Sequence, residues 1–221
     1  MTHLPFADRA EAGRLLAAEL ATRSTAQPGV VLALPRGGVP VAFAIARQLH
    51  LPLDVIVVRK LGVPWQPELA MGAIAGQTRI LNYALIEQLG ISGKEVDSIV
   101  AAEQAEMRRR EERYRAGEAA PDLHNRTAIL IDDGLATGST MLAAVRHVRT
   151  LHPARVIVAV PVGSKDACNL LRGEADELIC LAAPEMFGAV GQWYRHFEQV
   201  SDEEVETLLA ESRRLPSGSA S

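Results

Sequence analysis

Two adjacent carboxylates, Asp132 and Asp133, head the run Gly134-Leu135-Ala136-Thr137-Gly138-Ser139-Thr140. Acids so placed can accept hydrogen bonds from a diol or face a metal ion. The small and hydroxyl residues 136–140 can offer backbone N–H groups and hydroxyls to an anion at a helix N-terminus. A diol acceptor beside a phosphate cradle describes a site for a ribose 5-phosphate. An ordinary strand-to-helix corner explains the pair poorly, because neighbouring Asp residues repel one another and gain nothing from burial unless something neutralises them.

The flanking residues supply the elements that must hold these groups. Ala128-Ile129-Leu130-Ile131 reads as a buried strand, and Met141-Leu142-Ala143-Ala144-Val145 begins a helical pattern. The acids therefore fall where a strand emerges and the hydroxyls where a helix starts. Taken whole, residues 128–140 resemble the phosphoribosyl pyrophosphate (PRPP) signature of type I phosphoribosyltransferases. The resemblance implies an α/β fold, a parallel twisted sheet with helices on both faces plus a small hood. It also implies transfer of a 5-phosphoribosyl group from PRPP to a nitrogenous base or other small nitrogen acceptor, with release of pyrophosphate. Asp132 and Asp133 would then be the catalytic pair, holding the ribose hydroxyls and stabilising positive charge in the ring. Gly134, Ala136, Thr137, Gly138, Ser139 and Thr140 would bind the 5-phosphate.

A second strand–turn–helix unit lies upstream. Val30 to Leu34 reads as a central strand running into Pro35-Arg36-Gly37-Gly38, with a helix from Val39 or Pro40 to about Leu49. Proline is tolerated in a first helical turn, and paired glycines let a ligand approach backbone. Paired glycines are common at such turns, so this unit gains weight only beside the acidic loop. In the resembled family the loop after the first core strand holds the pyrophosphate of PRPP. That assigns Arg36, Gly37 and Gly38 to the diphosphate; some members of the family have a cis non-proline peptide in this loop, and backbone strain is expected somewhere in it. Leu53 to Val58 reads as the next strand, ending in Arg59-Lys60, two cations that would face the same diphosphate. Magnesium is implied as a substrate-borne ion near Asp132 and Asp133, without direct protein ligands.

Composition narrows the class. The chain has 221 residues, enough for one large α/β domain. Lys plus Arg number 23 against 27 for Asp plus Glu, so no basic field points to nucleic acid. The two cysteines, Cys168 and Cys180, exclude a disulfide framework and read as buried thiols. No apolar run is long enough to cross a bilayer. The first residues lack a basic stretch followed by an apolar one, and a cytoplasmic protein is expected.

Elsewhere the pattern is alternating strand and helix. Asp8 caps a helix over 9–20, with Ala12, Leu15, Leu16 and Leu20 on its apolar face. Residues 24–29 and 62–67 read as loops, and 73–75 with 78–81 as a hairpin around Gly76-Gln77. Ser92 and Glu95 form a capping box opening a long helix to about Ala116. Its arginine-rich half, 108–115, reads as a solvated helix with i,i+4 pairs, or as a source of one or two arginines for the diphosphate. A helix over 139–151, a strand over 155–160, a helix capped by Ser164 and a strand over 177–181 complete the alternation. In such a sheet, ligands bind at the carboxyl ends of the strands, where the Pro35, Arg59 and Asp132 loops all lie.

The scarce aromatics gather in 184–197. Phe187, Trp193 and Tyr194 are the candidates for an acceptor pocket, with a satellite hydrophobic cluster as the alternative explanation. Ser201 and Glu204 suggest a capping box for a last helix, and 216–221 a frayed tail. The organisation expected is one domain over 1–215, its hood drawn from about 184–200 and parts of 61–125. The resemblance also leans towards a homodimer. Two other functions compete with the transferase: a regulatory protein of the same fold that binds PRPP or a nucleotide, and a phosphatase with Asp132 as nucleophile. A dinucleotide site is a weaker reading still, because no G-x-G-x-x-G follows a strand.

Overall fold

The computed structural model describes residues 4–23 and 29–215. The expected tail at 216–221, and most of the loop at 24–29, lie outside the described residues. Five strands form an all-parallel sheet: β1 (Gly29–Ala33), β2 (Leu53–Val55), β6 (Thr127–Ile131), β7 (Arg155–Val162) and β8 (Glu177–Ala182), in the order β2-β1-β6-β7-β8. Their sequences are apolar on both faces, as a sheet covered on both sides requires. Val31, Ala33, Ile129, Ile131, Ile157 and Ala159 pack beneath α1 (Arg9–Ala21), α2 (Gly38–Leu49) and α7 (Asp202–Arg214). The alternate residues Val30, Leu32, Leu130, Val156 and Val158 pack on α5 (Ser139–Arg149) and α6 (Lys165–Arg172). The expected fold class is what the chain adopts.

The order of the strands creates the site. From β1 the chain crosses through α2 to β2 on one side, while β6 lies on the other side of β1. The connections after β1 and β6 thus part in opposite directions and leave a crevice at the carboxyl edge of the sheet. They touch at its floor, where the Leu34 amide donates to the Ile131 carbonyl at 2.9 Å.

A second sheet is antiparallel: β3 (Val58–Val63), β4 (Gln66–Ala75) and β5 (Thr78–Leu81). It has its own core, Leu61, Val63, Met71 and Ile74 against Ile91, Val96 and Val100, under α3 (Tyr83–Gln88) and the first turns of α4 (Gly93–Arg115). This corrects one expectation. The strand read over 53–58 divides at Ile56-Val57, and its last residue starts β3 in the other sheet. The uninterrupted apolar run Val55-Ile56-Val57-Val58 is buried almost throughout and carries no mark of the change. The loop read at 62–67 is instead the end of β3, a tight turn at Pro64-Trp65 and the start of β4. The hairpin around Gly76 forms with the register Ala75↔Thr78.

Local capping signals fared well. The Asp8 carboxylate accepts from the Glu11 amide at 2.7 Å. Ser92 and Glu95 close a reciprocal capping box, and Ser164 caps α6. Ser201 accepts from the Glu204 amide at 3.1 Å. The long helix stops at Ala116, which takes the left-handed conformation (φ 52°) one residue before Gly117.

Candidate functional site

Both acids stand at the end of β6, half-buried, on the floor of the crevice. The Asp132 carboxylate accepts from the Asp133 amide at 2.8 Å. Burial and the neighbouring Asp133 charge push the Asp132 carboxyl well above the usual range. Burial also raises Asp133, but a cation opposes it: Nε and Nη2 of Arg9, at the start of α1, both lie 2.9 Å from Asp133 Oδ2.

Behind the acids, the Tyr194 hydroxyl donates to the Asp133 carbonyl at 2.6 Å. Its ring stacks on Phe197 at 5.0 Å and tilts against Phe6. The Arg9 guanidinium in turn lies 3.9 Å over the Phe197 ring and donates to the Glu198 carbonyl at 2.8 Å.

The loop after the acids divides into a buried and an open part. Gly134 is buried, and a Cβ there would lie 2.6 Å from a Val190 methyl, so it packs and does not face the crevice. Leu135 pairs with Gly163, and the Ser164 hydroxyl donates to the Ala136 carbonyl at 2.7 Å, fixing the loop from below. Ala136, Thr137, Ser139 and Thr140 are exposed. Gly138 adopts φ +77° immediately before α5, a conformation side chains rarely tolerate. The loop thus exposes its hydroxyl residues at a helix N-terminus, with the Ser139 amide on Thr137 Oγ1 at 3.4 Å.

The loop after β1 carries a cis peptide between Pro35 and Arg36. Gly37 lies so close to the Asp133 carboxylate that any Cβ would overlap it, which brings the loop against the acids. Gly38 opens α2 with its amide on the Leu34 carbonyl. The Arg36 guanidinium lies in the same cavity of about 370 Å³ as Arg9, Gly37, Asp133 and Phe197. It stands 3.9 Å from Asp202, at the start of α7.

Arg59 and Lys60 are placed apart from this cavity. They belong to β3, where Arg59 pairs with Glu103 at 2.7 Å and Lys60 with Glu68 at 3.2 Å, and both line a separate cavity against α4. The acceptor candidates are also engaged. Tyr194 is buried, and Phe187 and Trp193 stack on each other at 6.4 Å within a cluster that includes Phe6 and Val162. The arginine-rich half of α4 pairs within the helix at Glu106, but Arg113 crosses to Asp202, Glu203 and Glu206 of α7.

Four residues at the site escaped the sequence reading: Arg9, Phe197, Glu198 and Asp202. Arg9 carries no local signal, since a charged residue in a first helical turn is ordinary. Asp202 reads as helix-capping charge. Only the folded chain brings the first three to Asp133 and Asp202 to Arg36.

The parallel sheet, its crevice and the second, antiparallel sheet form a fold of the type I phosphoribosyltransferase kind. The family model of the phosphoribosyl transferase domain matches residues 8–193, and the chain belongs to that family. It is 47% identical over 210 residues to proteins of Mycobacterium tuberculosis strains H37Rv and CDC 1551, each described as a "putative phosphoribosyl transferase". That match covers 95% of this chain but 47% of theirs, so the chain spans about half the length of these relatives. The crystal structure of TT1426 from Thermus thermophilus superposes with a TM-score of 0.79 at 42% identity, covering 93% of this chain and 98% of that one. Among the described residues no helix is long and apolar enough to cross a membrane. Cys168 and Cys180 are free thiols, the first buried and the second half-buried.

Proposed function

We propose that this chain transfers the 5-phosphoribosyl group of PRPP to a small nitrogen acceptor, releasing pyrophosphate. The observation that supports the reading is the contact of the Arg36-Gly37-Gly38 loop with the Asp132–Asp133 pair, from which the exposed loop 136–140 continues. In this reading the 136–140 amides and hydroxyls grip the 5-phosphate, and that grip orients the anomeric carbon. Asp132 and Asp133 hold the ribose hydroxyls and face the positive charge that develops in the ring as the C–O bond to pyrophosphate breaks. Arg36 complements the departing diphosphate once it exchanges Asp202 for it. Arg59 and Lys60 reach the diphosphate by leaving Glu103 and Glu68 as the antiparallel sheet closes. Closure of that kind would exclude water and protect the activated sugar from hydrolysis.

The donor set suits magnesium carried by the substrate. The crevice offers two hard carboxylates, and the described residues include no group of three metal-ligating side chains. Asp132 and Asp133 would hold such an ion through the ribose hydroxyls, and the ion supplies charge neutralisation on the diphosphate. Phe187 and Trp193, half-buried in the aromatic cluster, are the residues assigned to the acceptor; Tyr194 acts from behind the acids.

The deciding measurement is pyrophosphate release from PRPP and magnesium against purines, pyrimidines, nicotinate and small amines. Turnover with any acceptor supports the transferase. PRPP affinity without turnover on the whole panel replaces it with a regulatory PRPP-binding protein, and absence of both rejects the PRPP reading. A phosphoenzyme trapped on Asp132 without PRPP would point to the phosphatase.

A further inference from the structure

Arg9 comes from the first helix, far in sequence from 128–140, yet it is built into the acidic pair. Its side chain is 11% exposed. Two of its nitrogens converge on Asp133 Oδ2, a third donates to the Glu198 carbonyl, and its plane covers Phe197. Phe197 stacks on Tyr194, and Tyr194 donates to the Asp133 carbonyl. The contacts close a ring that runs from Arg9 through Asp133, Tyr194 and Phe197 back to Arg9. Gly37 presses on the same carboxylate from the opposite loop.

We propose that Arg9 is a positioning residue for sugar binding, fixing the Asp133 carboxylate by its Oδ2 so that Oδ1 is presented to a ribose hydroxyl. The proposal rests on the ribosyl phosphate reading above. The physical reason lies in the donor arrangement. A carboxylate on a short side chain rotates about its last bond, and two nearly parallel N–H groups on one oxygen hold that rotation. Among the described residues no hydrogen bond reaches Asp133 Oδ1. The stacked Phe197 ring and the Glu198 carbonyl in turn hold the guanidinium plane, so the fork is set before the sugar arrives. A lysine ammonium in the same place would keep the charge but not the fork. Charged and titratable groups around Asp133 are Asp132 from β6, Arg9 from α1, Arg36 from the β1 loop, and Tyr194 and Glu198 from the segment before α7.

The test compares two probes in the presence of magnesium, by calorimetry on the full chain. Ribose 5-phosphate carries the hydroxyls; tetrahydrofurfuryl phosphate has the ring oxygen and the phosphate but none of them. Wild-type protein should prefer the ribose compound. In Arg9→Met that preference should fall about tenfold, the worth of one charge-assisted hydrogen bond, while affinity for tetrahydrofurfuryl phosphate stays within about twofold. Arg9→Lys should recover only part of the preference. Phe197→Leu leaves the ion pair and removes the stacked plane, and should lower the preference about threefold; it decides the matter should Arg9→Met fail to fold. An undiminished preference in the variants, or an equal loss for both probes, overturns the role of Arg9 and leaves the ribosyl phosphate reading standing. Wild-type protein that binds neither probe overturns that reading, and this role with it.

Discussion

The loop at 134–140 and the Asp133 carboxylate lie a few residues apart and are held by opposite means. The loop is set by backbone: Leu135 N–H on Val162, Ser164 N–H on Leu135, and a left-handed glycine at the helix start. Its outward hydroxyls touch little but each other, with Thr137 Oγ1 and Ser139 Oγ 3.3 Å apart. Asp133 is set by side chains brought from 124 residues upstream and 61 downstream. A site of the first kind is open, its shape fixed mainly by backbone contacts beneath it. One of the second kind already has partners, and a ligand must share them.

The strongest way to break this comparison is at Gly138. Gly138→Val puts a β-branched side chain at φ +77°, with its Cβ 3.2 Å from that of Ala167. Strain of about 1–3 kcal/mol is expected, with a displaced loop and at least a hundredfold loss of PRPP affinity in calorimetry. Retained affinity would show that the loop is not the phosphate cradle.

Asp133→Asn comes next and is expected to act on both function and fold. It leaves the nearly buried Arg9 without its counter-charge, at a cost of about 3 kcal/mol, or a melting temperature lower by roughly 6–12 °C. Turnover should fall as well. An unchanged melting temperature would mean that the ion pair does little for the fold.

Asp132→Asn should separate the two effects. The Asp132 carboxyl is raised by burial and by Asp133, so its ionisation opposes folding. Below the ordinary carboxylate value the group is neutral whether the chain is folded or not, and the amide gains nothing. As the pH rises from there through the raised value, the unfolded chain ionises first and the wild type loses stability. The variant should therefore be more stable at pH 7 by on the order of 1 kcal/mol, with the difference shrinking towards pH 4, while turnover drops sharply. Thermal melts of both proteins across that range check the sign. A variant less stable than wild type at pH 7 would place a cation, not burial, in control of Asp132.

The same contrast explains what could be read in the sequence. The caps at Asp8, Ser92 and Ser164 are local, since each hydrogen bond closes within a few residues, and the loop and the strand before it show in their own composition although distant segments hold them. The parallel sheet was legible because its strands are apolar on both faces and alternate with helices. The change of sheet after Val57 was not, for a buried run looks alike in either sheet. Arg59 and Lys60 show the limit for charges: their place at the end of an apolar run carries no sign of Glu103 and Glu68, contributed by α4 and β4, with which they pair. Arg9 is the converse, an ordinary surface residue by pattern that the fold places on the acids.

Tyr194 gives the smallest expected effect and the finest distinction. It was a sequence candidate for the acceptor pocket, yet it is 5% exposed and its ring lies between Phe6 and Phe197. Burial and the adjacent acids push its hydroxyl well above the ordinary tyrosine value, so it donates to the Asp133 carbonyl throughout the working pH range. Tyr194→Phe keeps the ring and removes the donor, leaving a half-buried carbonyl short of one partner. That should cost about 1 kcal/mol and lower the melting temperature by roughly 2–4 °C, with no more than a severalfold change in PRPP affinity and an unaltered KM for the acceptor. A raised acceptor KM at constant melting temperature would return Tyr194 to the acceptor pocket, and would mean that the crevice opens further in the working protein than its aromatic cluster suggests.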